Sequence, residues 1–172
     1  DAGSARMFED LGFDAIATTS GGIAWSLGYA DGEQAPLAEV TAAVRRIVRV
    51  TSVPVSVDFE AGYGGSPAEV AASVREVIDA GAAGINLEDG IEHARLRDSG
   101  DAAQRIAAAR DAAREGGVPI VINARVDTFM VGFGGSTEER VAETLRRTRA
   151  YLAAGADCVY PIALADAAVI AR

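Results

Sequence analysis

The sequence has 172 residues, of which 49% are hydrophobic and 24% are charged, a composition typical of a single globular domain with a substantial core. Its net charge of -9 argues against nucleic acid or a membrane surface as a partner, since both select basic patches. The chain contains sixteen Arg and no Lys, which excludes Schiff-base chemistry and leaves a metal as the route to any aldolase-like reaction.

Short apolar runs alternate with helical patterns along the chain and predict a repeated strand, loop and helix. Three of the joints carry a glycine where a helix gives way to a strand, at Gly12, Gly81 and Gly155. The apolar runs are too short for helices and suit buried parallel strands. We predict strands over 15–18, 55–59, 84–87, 120–124 and 158–160.

Two helix starts carry the spacing of a capping box. Ser66 is followed by Pro67 and Glu69, and Ser136 is followed by Glu139. These signals predict helices over 67–79 and 137–153. A helical pattern also opens the chain at 1–5, and another begins at 164 and runs towards 172.

Several of the predicted strands have polar side chains at their C-terminal ends. This distribution favours a β/α barrel over a doubly wound sheet. A barrel carries such groups around one face, whereas a doubly wound sheet concentrates them at one switch point. No GxGxxG motif opens a helix after the first strand, so a dinucleotide site is not expected. We predict an α/β fold, a (β/α)8 TIM barrel in a single partial domain over 1–172. Because the pattern contains only five strands, we expect this barrel to be trimmed at both ends.

Two carboxylates lie where the second predicted strand enters a glycine-rich turn. Asp58 and Glu60 are two residues apart, so on a strand they share a face. Gly62 and Gly64 allow the backbone to approach a ligand closely. Carboxylate oxygens are the ligands that hard cations prefer, and the stretch therefore predicts a divalent cation site.

Five motifs, in their order along the chain, resemble those of the phosphoenolpyruvate mutase and isocitrate lyase superfamily. They are the segment 19–22, Asp31 in a glycine-rich loop, and the segments 58–64, 85–89 and 123–127. The resemblance covers nearly the whole chain. It implies a β/α barrel in which Mg²⁺, with Mn²⁺ as the alternative, holds a small 2-oxo acid and stabilises its enolate.

The resemblance also implies roles for individual residues and an oligomeric state. Asp58 would bind the metal directly, and Asp31, Glu60 and Glu88 would complete its shell. The family forms homo-oligomers, so a dimer or a tetramer is expected. The substrate is expected to contact Ser20, Gly21, Gly22, Tyr63 and Arg125.

Arg125 has an alternative role as a structural bridge to Asp127. We favour a substrate role, because an arginine at a buried strand end is costly unless an anion meets it.

The segment 90–100 departs from the lyases of the superfamily, whose loop carries a Lys-x-Cys-Gly-His motif with a catalytic cysteine. Here the loop contains neither Cys nor Lys, and His93, the only histidine, is the candidate acid-base residue. The alternative is a solvent-exposed loop histidine. The only cysteine, Cys158, lies in an apolar run and is expected to be a buried structural thiol. With one cysteine and no recognisable signal peptide, the cytoplasm is the expected compartment.

Together these features and the resemblance predict a Mg²⁺-dependent lyase that cleaves a C–C bond of a small 2-oxo or 2-hydroxy di- or tricarboxylate through an enolate. One alternative is chemistry on the P–C bond of phosphonopyruvate or phosphoenolpyruvate. The other is a barrel that binds small acids without turnover, which the fold by itself does not exclude.

Overall fold

A computed structural model describes residues 1–171 as a parallel β-sheet flanked by helices. The helices are Ala2–Asp10 (α1), Ser20–Leu27 (α2), Leu37–Val50 (α3), Pro67–Asp79 (α4), Ser99–Glu115 (α5), Thr137–Ala153 (α6) and Ala167–Ile170 (α7). The strands are Ile16–Ala17 (β1), Val55–Asp58 (β2), Gly84–Glu88 (β3), Gly90–Ile91 (β4), Arg95–Leu96 (β5), Val121–Val126 (β6) and Cys158–Pro161 (β7). Within 1–171, none of the helices is long and apolar enough to cross a membrane.

Five parallel strands form the main sheet in the order β1-β2-β3-β6-β7. Neighbours in the sheet are therefore consecutive in the chain, apart from the small antiparallel hairpin of β4 and β5. This is the order in which strands follow one another around a β/α barrel. The five predicted strands are confirmed, with ends that differ by one or two residues.

The two faces of the sheet differ in character because side chains alternate along each strand. Val57, Ile85 and Ile122 are fully buried within the hydrophobic core. On the opposite face, Asn86 and Asn123 lie side by side, and Asn123 Nδ2 donates a hydrogen bond of 2.7 Å to Asn86 Oδ1. One face thus builds the core, while the other carries polar groups towards the site.

The predicted helix boundaries follow the local signals closely. Gly12, Gly81 and Gly155 adopt positive φ angles of 89°, 97° and 107°, as expected of residues that end a helix. Ser66 forms a complete capping box at the start of α4. Ser136 accepts the Glu139 N–H at the start of α6, but the Glu139 carboxylate accepts from the Gly135 N–H instead of closing the box.

Cys158 is exposed, so the prediction of a buried thiol is wrong. The strand register places Cys158 beside Asn123 on the polar face, and its Sγ lies 3.2 Å from Asn123 Oδ1. β7 is also the last strand of the described sheet, so it has a neighbour on one side only. The helix predicted from 164 is the short α7, and residue 172 lies outside the described residues.

Candidate functional site

The candidate site lies at the C-terminal edge of the parallel sheet. Asp58 ends β2, Glu88 ends β3, and Arg125 lies one residue before the end of β6. The register places Glu88 directly beside Arg125. Because parallel strands bring their carboxyl ends to the same edge, the fold collects these three predicted residues in one place.

Arg125 is the centre of a buried ion-pair cluster. Its Nε and Nη2 donate to the two carboxylate oxygens of Asp127, each at 2.8 Å. Its Nη1 lies 2.6 Å from Glu88 Oε2. Burial opposes its charge, but Asp127 and Glu88 together raise the pKa of Arg125. The predicted bridge to Asp127 is therefore present, and it fixes the guanidinium in the plane that a bidentate contact requires.

Asp58 is contacted by the first turn of α2, a helix that the sequence prediction missed. Ser20 begins this helix, and its N–H donates to Asp58 Oδ2 at 3.2 Å. A Cβ at Gly21 would lie 3.3 Å from Asp31 Oδ2, so the glycine leaves room for a second carboxylate. The first turn of a helix has N–H groups without intrahelical acceptors, and together with Gly22 it presents donors suited to an anion.

Glu60 has both carboxylate oxygens occupied within the protein. The Tyr63 hydroxyl donates to Oε1 and the Glu33 N–H donates to Oε2, both at 2.7 Å. The Tyr63 N–H in turn donates to Glu33 Oε1 at 2.6 Å, which closes a clasp between two loops. All three residues have positive φ angles, 50° at Glu60, 53° at Tyr63 and 57° at Glu33, conformations that persist only where their surroundings hold them.

Burial raises the pKa of both Glu60 and Tyr63. The Tyr63 hydroxyl, predicted to contact substrate, is directed towards Glu60 in this arrangement.

The negative charge around Glu88 exceeds what the single charge of Arg125 can neutralise. Burial raises the pKa of Glu88 to about 8; Arg125 opposes this rise, and Asp127, Asp58 and Glu60 add to it. The single charge of Arg125 is already shared with Asp127. The environment of Glu88 therefore favours the arrival of a cation.

His93 lies in the turn between β4 and β5, so most of the segment 90–100, predicted as a loop, is a short hairpin, and its last two residues begin α5. The imidazole is exposed, and the backbone has a positive φ of 54°. One ring nitrogen of His93 and one oxygen each of Glu88 and Asp127 lie within 4.8 Å of one another. Although such a trio has the composition of a metal site, Asp127 already accepts two hydrogen bonds from Arg125. The hairpin thus brings the histidine to the Arg125 end of the site.

Three residues behind Arg125 were not predicted as part of the site. Asp89 accepts the Asp127 N–H through Oδ1 at 2.8 Å. Its Oδ2 accepts from Arg147 Nη1 at 2.9 Å and from the Tyr151 hydroxyl at 2.6 Å. Arg147 and Tyr151 are one turn apart on α6, and that spacing on one helix face was the available signal. Asp89 thus connects α6 to the site.

A cavity of about 560 Å³ opens beside Glu60 and Glu88. Gly90 and Ile91 of the hairpin form part of its wall. Its charged or ionisable lining consists of Asp31, Glu33, Glu60, Glu88, Glu92, His93 and Arg97. An anionic substrate in this cavity would face five carboxylates, so its binding would need a compensating positive charge.

Known proteins resemble the chain throughout its length. The family described as phosphoenolpyruvate phosphomutase matches residues 1–172. A 2-methylisocitrate lyase of Escherichia coli (strain K12) is 33% identical over 178 residues, which cover 98% of this chain and 57% of that protein. The chain thus spans little more than half the length of this curated relative.

Two solved structures show the same fold. A protein of Burkholderia cenocepacia J2315, provisionally described as a phosphonomutase, is 47% identical with a TM-score of 0.93, covering 99% of this chain and 69% of its own. A phosphonopyruvate hydrolase in complex with oxalate and Mg²⁺ is 26% identical with a TM-score of 0.83, covering 99% and 59%.

Proposed function

The chain belongs to the phosphoenolpyruvate mutase and isocitrate lyase superfamily, and from this premise we propose that it is a Mg²⁺-dependent lyase. Its substrate would be a small 2-oxo or 2-hydroxy di- or tricarboxylate whose C–C bond breaks to give an enolate. The observation that carries the proposal is the group of carboxylates around Asp58 and Glu88, facing Arg125 across the strand ends. The carbon–carbon class is favoured by the similarity to 2-methylisocitrate lyase.

The donor set of the site fits Mg²⁺, or Mn²⁺ as the alternative. Asp58 and Glu88 would hold the ion, with Glu60 and Asp31 binding its waters, because hard cations take carboxylate oxygens and water. Burial is the main cause of the raised pKa of Glu88, and the nearby carboxylates of Asp127, Asp58 and Glu60 add to it, so the position is surrounded by negative charge that a cation would balance. When bound, such an ion acts as a Lewis acid that polarises a substrate oxygen and stabilises the negative charge formed during bond cleavage.

The first turn of α2 and Arg125 would orient the substrate from opposite sides. The N–H groups of Gly21 and Gly22 would receive the carboxylate next to the reacting carbon. Arg125 uses three of its N–H donors on Asp127 and Glu88. Since a guanidinium has five, two are left for a substrate oxygen. The pairing with Asp127 keeps the group from rotating as the substrate enters.

His93 would transfer the proton in the place of the cysteine that the related lyases carry. Its hairpin brings one ring nitrogen within 4.8 Å of a carboxylate oxygen of Glu88. A carbanion formed next to Glu88 would take its proton from this imidazole. This role predicts that His93→Gln loses turnover while keeping affinity for a ligand that requires no proton transfer. Equal turnover in the variant would remove His93 from the mechanism.

Calorimetric titration with oxalate, a mimic of the pyruvate enolate, tests the site directly. The wild-type protein should bind oxalate only when Mg²⁺ is present. Asp58→Ala should weaken that binding by about 100-fold or more, since loss of a metal ligand removes several kcal/mol. Asp111→Ala, a change at the surface pair with Arg114, is the matched control and should leave binding unchanged. The proposal would be contradicted if oxalate bound equally well without Mg²⁺ or in the Asp58→Ala variant.

Chemistry on a P–C bond is the second candidate. The similarity to a phosphonopyruvate hydrolase and to the Burkholderia protein provisionally described as a phosphonomutase favours it. Phosphorus NMR of the protein with phosphonopyruvate separates the two candidates. Release of phosphate or formation of phosphoenolpyruvate would select the P–C reaction, and an unchanged spectrum alongside C–C cleavage of a diacid would select the lyase.

A further inference from the structure

The carboxylates proposed to surround the metal come from two separate segments of the chain. Asp58 ends β2, and Glu60 follows in the β2–α4 loop, residues 59–66. Asp31 belongs to the α2–α3 loop, residues 28–36. One ion can use all three carboxylates only if the two loops are held at a fixed separation.

The β2–α4 loop is anchored by the helices beneath it. The Ser73 hydroxyl on α4 donates to the Tyr63 carbonyl at 2.9 Å. Arg105 on α5 donates to the carbonyls of Gly64 and Gly65 at 2.7 and 2.8 Å. Both Ser73 and Arg105 are buried, so water does not compete for these bonds. This loop is therefore the fixed side of the metal site.

The α2–α3 loop is joined to that fixed side through Glu33. Within residues 1–171, the hydrogen bonds between the two loops are the two that Glu33 makes. Its N–H donates to Glu60 Oε2 at 2.7 Å, and its Oε1 accepts the Tyr63 N–H at 2.6 Å. Asp31 lies two residues before Glu33, so the same clasp determines how far Asp31 lies from the fixed side.

The length of the Glu33 side chain matters to the clasp more than its charge does. Burial is the main cause of the raised pKa of Glu60, and the charges of Asp31 and Glu33 add to the rise. The Glu33 charge is thus unfavourable to the carboxylate that its own N–H binds. The bond to Tyr63 requires only an acceptor oxygen at the right distance, which a glutamine also offers.

We propose that Glu33 is a positioning residue for the metal site, which holds Glu60 and Asp31 at the separation that one ion requires. The inference rests on the proposed function and deepens it by naming a residue that acts through the metal ligands. Each carboxylate oxygen of Glu60 keeps a lone pair for a metal-bound water, so the clasp and the ion can hold Glu60 at the same time.

Two substitutions of Glu33 separate side-chain length from charge. Glu33→Asp keeps the charge but is one carbon too short for the bond to Tyr63, and aspartate tolerates the positive φ of 57°. Glu33→Gln loses the charge but keeps an acceptor oxygen at the same distance. Glu92→Asp is the matched control, because Glu92 also has a positive φ, 52°, and lines the same cavity.

Binding of Mn²⁺ to the intact protein is measured by electron paramagnetic resonance. The signal of the free ion gives the dissociation constant, and the spectrum of the bound ion reports the symmetry of its ligands. Glu33→Asp should raise the dissociation constant by about tenfold or more and change the bound spectrum, as loss of a partner of a metal ligand does. Glu33→Gln should keep the wild-type spectrum and an affinity within about threefold, and Glu92→Asp an affinity within about twofold.

The inference would be overturned if Glu33→Asp bound Mn²⁺ with the wild-type affinity and spectrum, even if its thermal stability were lower, because the clasp would then be structural only. It would also be overturned if Glu33→Gln lost as much affinity as Glu33→Asp, since charge would then be the cause. Failure of the proposed function gives a different result, because the wild type would bind Mn²⁺ no better than Asp58→Ala.

Discussion

The two sides of the site, at β6 and at β2, neutralise their charges in different ways. On the β6 side, Arg125 pairs with Asp127, and Asp89 pairs with Arg147, all of them buried. On the β2 side, Asp58, Glu60 and Asp31 form no ion pair with any arginine within residues 1–171. The β6 side is thus complete within the protein, whereas the β2 side has negative charge that only an added cation can balance. Removal of an ion-pairing side chain should therefore destabilise the β6 side, and binding of a metal ion should stabilise the β2 side.

The largest effect on stability should come from Arg147→Met on the β6 side. The substitution leaves the Asp89 carboxylate, which is 2% exposed, without its cationic partner. Breaking one half of a buried ion pair costs about 3–5 kcal/mol, because the remaining charge stays buried. Urea denaturation should show this loss in the free energy of unfolding.

Arg146→Met is the matched control, because Arg146 is exposed and pairs with Glu143 on the same helix. It should cost no more than about 1 kcal/mol. Similar losses in the two variants would mean that the β6 side does not depend on its buried pair.

Mg²⁺ should stabilise the protein through the β2 side. A ligand that binds only the folded state adds about 2.7 kcal/mol at a concentration 100 times its dissociation constant. Thermal unfolding should therefore shift upwards with Mg²⁺ in the wild type but not in Asp58→Asn. In the absence of metal, Asp58→Asn should be neutral or slightly stabilising, since Asp58 is one of the carboxylates that raise the pKa of Glu88. If Asp58→Asn still showed the full upward shift with Mg²⁺, the ion would bind at a place other than Asp58.

Gly90→Ala should disturb the β6 side by sterics alone. A Cβ at Gly90 would lie 3.1 Å from Asp127 Cγ and closer still to one of its oxygens, so the carboxylate paired with Arg125 would have to move. Overpacking of this kind costs about 2 kcal/mol. The affinity for oxalate should also fall in this variant.

Gly135→Ala provides the comparison, because its Cβ would meet nothing nearer than 3.6 Å. If the two alanine variants bound oxalate equally well, the position of Asp127 would not matter for the ligand.

The sequence predicted those features that depend on neighbours along the chain. The glycine joints, the bounds of α4 and α6 and the collection of Asp58, Glu88 and Arg125 at one edge all follow from local patterns and from the rule for parallel strands. The helix α2 was missed because two glycines in its first turn give it a low intrinsic propensity.

Contacts over long sequence distances were beyond local reasoning. Arg147 and Asp89 are 58 residues apart, and only packing of α6 brings them together. The clasp of Glu33 with Glu60, which are 27 residues apart, arises in the same way. The exposure of Cys158 depended on which face of β7 it occupies, and an apolar run does not reveal this.

Tyr151→Phe should have the smallest effect on the free energy of unfolding. It tests how much each of the two donors to Asp89 Oδ2 contributes to the stability of the β6 side. The ring is fully buried, and phenylalanine keeps its packing while removing the hydroxyl that donates to Asp89 Oδ2 at 2.6 Å. Arg147 still donates to the same oxygen, so the Asp89 charge keeps its cation and the loss should be about 1 kcal/mol. Urea denaturation measures this loss, and oxalate affinity should stay unchanged because Asp127 keeps its bond to Asp89 Oδ1. A cost above that of Arg147→Met would reverse this order, because the hydroxyl would then hold Asp89 in place more firmly than the guanidinium does.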